Sequence, residues 1–119
     1  MAKLLLTHNG VVIKSYPLEI DSLTIGRQDN LDIQIDDAAV SARHARVARE
    51  PDKYLEGHWE VYIEDLDSTN GTLVNDLPVT DRQRLNHGDV ISIGRHEFTF
   101  HSDDGPNMDD TAIYLPDND

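Results

Sequence analysis

Between residues 3 and 101 the sequence is cut by turn residues into short apolar or alternating runs, and none keeps a three-to-four-residue apolar period long enough to make a convincing helix. That leaves sheets as the material of the fold. Residues 3–7 and 11–15 flank His8-Asn9-Gly10, where Asn-Gly supplies the positive φ angles of a tight hairpin turn. Further strands are predicted at 23–26, 33–35, 44–49, 59–64, 72–74, 77–79, 82–85, 89–93 and 96–101. Strands this short and closely spaced suit an all-β sandwich. Residues 50–57, with Pro51 and Asp52, read as a loop between two strands. After His101 the run Ser102-Asp103-Asp104-Gly105-Pro106-Asn107 is a linker by composition, followed by a polar tail with one apolar island, Ala112-Ile113-Tyr114-Leu115. The expected organisation is therefore a domain over 1–101 and a flexible acidic linker and tail over 102–119, without internal repeats.

At 119 residues the chain has the length of one domain that folds without staples. It has no Cys, which removes disulfide frameworks, thiolate nucleophiles and Cys-based metal sites, and suits a reducing cytoplasm. No apolar run approaches the roughly 20 residues of a membrane-crossing helix, and the start lacks the apolar region of a secretory signal. The formal net charge of −13 opposes non-specific binding to nucleic acid or anionic lipid. Residues 102–119 hold six Asp and no Lys or Arg, so the body carries −7. Within the body, four of the ten basic residues, Arg27, Arg43, Arg46 and Arg49, form the one basic concentration.

Three constellations have the residue types of a site. Asp65-Leu66-Asp67-Ser68-Thr69-Asn70-Gly71-Thr72 crowds side-chain oxygens around Asn-Gly, and its plainest reading is a hairpin turn. A calcium loop would match the spacing of Asp65, Asp67, Thr69 and Asp76, but Asn70 stands where such a loop needs Gly, and its flanks are strands. Ser41 and His44 have the makings of a nucleophile and base, with Asp65 or Asp67 as orienting acid, yet no Gly-x-Ser-x-Gly elbow surrounds Ser41. The six His are scattered without the spacing of metal pairs, so neither a metal nor another cofactor is expected. The third constellation is Gly26-Arg27, Ser41-Ala42-Arg43-His44 and Thr69-Asn70-Gly71. A guanidinium fork, a hydroxyl and a side-chain amide suit a phosphate on a peptide, provided loops at one end of a sandwich bring them together.

Four blocks, in order and spacing, resemble a forkhead-associated (FHA) domain: Gly26-Arg27; Ser41-Ala42-Arg43-His44-Ala45; residues 65–75, beginning Asp65-Leu66-Asp67-Ser68-Thr69-Asn70-Gly71; and residues 85–94, centred on His87-Gly88-Asp89. The resemblance covers about residues 3 to 101. It implies a β-sandwich of about eleven strands in two sheets whose loops at one end bind phosphothreonine peptides. By position it implies that Arg27 and Ser41 hold the phosphate, with Arg43 adding charge, and that Thr69 and Asn70 hold the peptide. It makes His44 a buried brace of the Ser41 loop, and Gly26 and Gly71 backbone-geometry residues. Ala39 stands where relatives that prefer an acid three residues after the phosphothreonine can carry Arg, so an apolar preference is expected there. Ala42, where some members have a ligand-contacting side chain, offers only its backbone.

Together these readings give a cytoplasmic, non-catalytic phosphothreonine-binding module of Ser/Thr kinase signalling, whose partner is a phosphothreonine-containing protein and neither nucleic acid nor membrane. The alternative is an interaction domain of the same fold that ignores phosphate. One candidate ligand is internal: phosphorylated Thr111, followed by Tyr114 at +3, would suit the Ala39 loop and allow self-association.

Overall fold

Asn9 and Gly10 both take positive φ, 53° and 80°, the mirror-image turn whose twist matches that of antiparallel strands. They close the first hairpin, β1 (Ala2–His8) with β2 (Val11–Pro17). The computed structural model describes residues 2–102, all of them strand, turn or loop. Nine strands follow the hairpin: β3 (Ser22–Gly26), β4 (Ile33–Gln34), β5 (Ala45–Pro51), β6 (Trp59–Asp65), β7 (Thr72–Val74), β8 (Leu77–Pro78), β9 (Arg82–Leu85), β10 (Val90–Ile93) and β11 (His96–Ser102). They form a six-stranded sheet, β2-β1-β11-β10-β7-β8, and a five-stranded sheet, β4-β3-β5-β6-β9. The all-β class and the eleven strands in two sheets are those expected. No helix among the described residues is long and apolar enough to cross a membrane.

Alternation puts one face of each sheet into the core. Leu4, Val74, Ile91, Ile93, Phe98 and Phe100 come from the larger sheet, and Leu23, Ile25, Ile33, Val47, Ile63 and Leu85 from the smaller. Because the side-chain period of a strand is two residues, a one-residue slip would turn these sets outward, so the core fixes the register.

The register in turn fixes the poles of the sandwich. Ile25 pairs Ala45, and Ala45 pairs Asp65, so segments 27–32, 35–44 and 66–71 emerge side by side. Ile93 pairs both Thr72 and His96, which brings turn 94–95 to the same pole. At the opposite pole Ala2 pairs Ser102, so the first strand begins beside the end of the last. The segment 65–72 departs from its plainest sequence reading. It is no hairpin turn, because β6 and β7 lie in different sheets and the segment crosses between them. Its left-handed residues are Asp67 (φ 57°) and Gly71 (φ 85°), not an Asn-Gly pair. The expected tail, with the candidate phosphosite Thr111, lies outside the described residues.

Candidate functional site

Gly26 ends β3 where the 41–44 loop crosses it, and the approach leaves no room for a side chain. A Cβ there would meet Ala42 O at 2.3 Å and Leu31 Cδ1 at 2.8 Å. Three backbone bonds sew the loop to the strand end: Arg27 N–H to Ser41 O (3.0 Å), Gln28 N–H to Ala42 O (3.2 Å) and His44 N–H to Ile25 O (2.8 Å). Arg27 and Ser41 are thus neighbours by backbone geometry, whatever their side chains do.

His44 is fully buried and holds two loops at once. Its Nδ1 accepts the Ser41 backbone N–H at 3.1 Å, and its Nε2 lies 2.8 Å from Gly71 O. An amide can only donate and a carbonyl can only accept, so Nδ1 is bare and Nε2 carries the proton. That single neutral tautomer ties 41–44 to 66–71. The Leu66 N–H donates to His44 O (2.9 Å), adding a backbone tie between the same loops.

The 65–72 crossing is held from within by Asp65. Its Oδ1 accepts the hydroxyls of Ser68 (2.5 Å) and Thr72 (2.8 Å), and its Oδ2 accepts the Ser68 N–H (3.1 Å). Ser68 Oγ then accepts the Gly71 N–H at 2.9 Å. Burial is the largest single influence on the Asp65 carboxyl and pushes its pKa up, but the bonds from Ser68 and Thr72 outweigh it and hold the pKa below the ordinary 3.8. The crossing presents Thr69 and Asn70 toward the 35–44 loop. The Thr69 N–H donates to Ser41 Oγ (2.9 Å), and Asn70 Nδ2 donates to Ala39 O (2.8 Å).

Ser41 Oγ therefore spends one acceptor site inside the protein, and among the described residues its own proton has no acceptor. Arg27 and Arg43 are exposed, and neither guanidinium is paired with a carboxylate among the described residues. On the far side of Ala39, Asp37 accepts the Ala39 N–H (2.9 Å) and meets His96 Nε2 (2.9 Å). The Ala39 amide first and then His96 lower the Asp37 pKa, with a smaller contribution from the charge of Arg95.

Arg27, Ala39, Ser41, Thr69 and Asn70 are thus brought to one rim, over the braces His44, Gly26 and Gly71, with Arg43 exposed on the same loop. The nucleophile-and-base geometry is absent, since both His44 nitrogens serve backbone groups and neither meets Ser41 Oγ or Asp65. Asp65, weighed in the sequence as a calcium ligand or orienting acid, is instead engaged by Ser68 and Thr72 within its own loop. Sequence reasoning gave no bonding part to Ser68, Thr72 or His96, and read Asp37 only as a loop acid before Ala39. The density of oxygens in 65–72 was a signal for the first two, whereas Asp37 and His96 are 59 positions apart and gave none.

The sequence pattern of the FHA domain matches residues 23–94, which contain every residue of this rim. The chain belongs to the FHA-domain family. FHA domains are binding modules. The chain is similar to the transcriptional regulatory protein EmbR of Mycobacterium tuberculosis, 38% identical over 87 residues that make up 73% of this chain and 21% of EmbR. EmbR in complex with a low-affinity phosphopeptide superimposes with a TM-score of 0.72 at 35% identity, over 89% of this chain and 25% of that one. The glycogen accumulation regulator GarA of Mycolicibacterium smegmatis is 38% identical over 95 residues, 80% of this chain and 54% of GarA. An FHA domain solved in a structural and functional analysis of phosphothreonine-dependent interactions shares 32% identity and a TM-score of 0.68, over 85% of this chain and 95% of that one. The chain spans about half of GarA and about a fifth of EmbR.

Proposed function

We propose that this FHA domain binds phosphothreonine-containing proteins in Ser/Thr kinase signalling and performs no catalysis of its own. Arg27 and Ser41 hold the phosphate, Arg43 adds charge at its edge, Thr69, Asn70 and Ala39 hold the peptide, and Gly26, His44 and Gly71 keep the loops in place. The observation that carries this reading is the pairing of an exposed Arg27 with a Ser41 hydroxyl, neither guanidinium nor hydroxyl proton having an acceptor among the described residues, and both anchored through backbone bonds. A fork of N–H donors beside an O–H donor is complementary to a phosphate dianion. The EmbR phosphopeptide complex and the phosphothreonine-dependent FHA interactions of the second solved relative support it. We assign binding to residues 1–101 and place the domain in the cytoplasm, away from nucleic acid and membrane.

The threonine methyl contributes as well. Burying one such group is worth about 0.8 kcal/mol, a several-fold preference over phosphoserine. At Ala39 we expect an apolar residue three places after the phosphothreonine, because the loop Asp36-Asp37-Ala38-Ala39 offers no cation to attract an acid there. Matched peptides carrying threonine, phosphoserine and phosphothreonine, titrated into the full chain, test the reading. Binding that ignores the phosphate would instead make this an interaction domain of the same fold. Self-recognition through phosphorylated Thr111 remains part of the proposal. Phosphorylating it should raise the mass in solution or weaken competition by a free phosphopeptide; no change in either removes it.

A further inference from the structure

The pole opposite the recognition loops holds a cavity of about 640 Å³ between the ends of the two sheets. Its walls are mixed: Leu18 and Val61 are buried and Trp59 is 47% exposed, while Glu19, His58 and Ser102 add polar groups. One cation lines it: the Arg49 guanidinium sits 4.7 Å from the centroid of the Trp59 ring. Arg49 Nε is the one buried side-chain polar atom without a hydrogen-bond partner among the described residues. Asp21 Oδ1 is 3.9 Å away, too far for a hydrogen bond, and its side chain is 92% exposed. The surrounding loops leave Ile20, Tyr54 and Leu55 uncovered too. A cavity with Leu18, Val61 and Trp59 on its walls and a guanidinium whose Nε lacks a hydrogen-bond partner suits an apolar segment that brings a carboxylate with it.

Such a segment leaves from the cavity's own rim. Ser102 is among the lining residues, and residues 103–119 continue from it with six Asp and no Lys or Arg. Within them the apolar island Ala112-Ile113-Tyr114-Leu115 is flanked by Asp109 and Asp110 on one side and Asp117 on the other. We propose that the far-pole cavity is the seat of this island, with its side chains against Trp59 and Leu18 and a flanking aspartate on Arg49. The residues between Ser102 and the island reach at most about 30 Å when extended, ample for a segment that starts at the rim and folds back. The tether also makes seating intramolecular, at an effective concentration in the millimolar range that no neighbouring tail matches in dilute solution. The seat does not depend on what the recognition loops bind. Its consequence for them is positional: Thr111, next to the island, is kept at the pole away from Arg27 and Ser41 while the tail is seated.

Trp59 is the only tryptophan in the chain, so its fluorescence reads the cavity directly. In the full chain, the double substitution Ile113→Asp and Leu115→Asp should shift Trp59 emission to the red and raise acrylamide quenching roughly twofold, with the change independent of dilution. Adding a free peptide of residues 106–119 to that variant should restore the parent's emission. Arg49→Gln should mimic the tail variant; because it alters the domain itself, the tail variant decides. Emission and quenching unchanged by the tail substitutions would overturn the proposal. A change that disappears on dilution would make the occupant a neighbour's tail and overturn the intramolecular seat.

Discussion

His44 has no polar atom left over: one ring nitrogen serves Ser41 and the other serves Gly71, from a fully buried position. His44→Ala strands a half-buried donor and a half-buried acceptor, each worth about 1 kcal/mol, the low end of the range for buried groups. At about 4–8 °C of melting temperature per kcal/mol for a domain of this size, the variant should melt some ten degrees or more lower and bind phosphopeptide more weakly. Unchanged melting with lost binding would make His44 a direct ligand. Asp65 adds a pH dependence of known sign. Its folded pKa lies below the ordinary 3.8 because Ser68 and Thr72 bond the ionised form, so its stabilisation is complete above the unfolded pKa and is lost as pH falls through the folded one. The melting temperatures of the parent and Asp65→Asn should therefore differ near neutral pH and begin to converge only as pH falls below about 4; a constant gap would contradict the assignment. Arg27→Ala should leave the fold intact, since among the described residues only its backbone is engaged. Charge-assisted bonds are worth about 1.5–3 kcal/mol each, and a micromolar complex has about 8 in all, so binding should fall below detection.

Among the elements, the turn joining β7 to β8 offers a gain rather than a loss. Asn75 and Asp76 both take positive φ, 51° and 68°. Asn75 has a reason to be there, since its side chain donates to Asp89 Oδ1 (3.0 Å) and accepts the Val90 N–H (3.0 Å). Exposed Asp76 makes no such bond among the described residues. Asp76→Gly relieves the left-handed strain and should raise stability by about 0.5–1 kcal/mol; calorimetry showing a fall would place an unseen role on the aspartate. The same scale shows what a sequence can carry. Short apolar runs on either side of Asn-Gly locate β1, β2 and their turn, because both signals are local. The 65–72 crossing looks like a hairpin in sequence, since a loop's residues say how the chain bends and not which sheet the next strand joins. The two-residue parallel pairing of β4 with β3 and the Asp37–His96 contact are likewise products of assembly. Of the candidate site, the donors stood out by residue type; the tautomer of His44 needed the folded structure because both its partners are backbone atoms, and the role of Asp65 because only the folded crossing aims it at Ser68 and Thr72.

Taken whole, the molecule carries −13 and would meet a phosphopeptide that is itself negative. Arg27 and Arg43 attract at contact, but the long-range field repels, and salt at about 0.15 M confines it to about 8 Å. Added salt should therefore leave the association rate unchanged or raise it; a several-fold fall in stopped-flow measurements would mean that the local basic residues govern the approach. The other global feature is the adjacency of Ala2 and Ser102. Cross-strand partners stand only about 5 Å apart, so a host polypeptide could leave one of its surface loops, run through all eleven strands and return to nearly the spot it left. Spliced into an exposed loop of an unrelated enzyme, this domain should leave the host's fold unstretched and carry its recognition rim outward at the tip, as a removable sensor head.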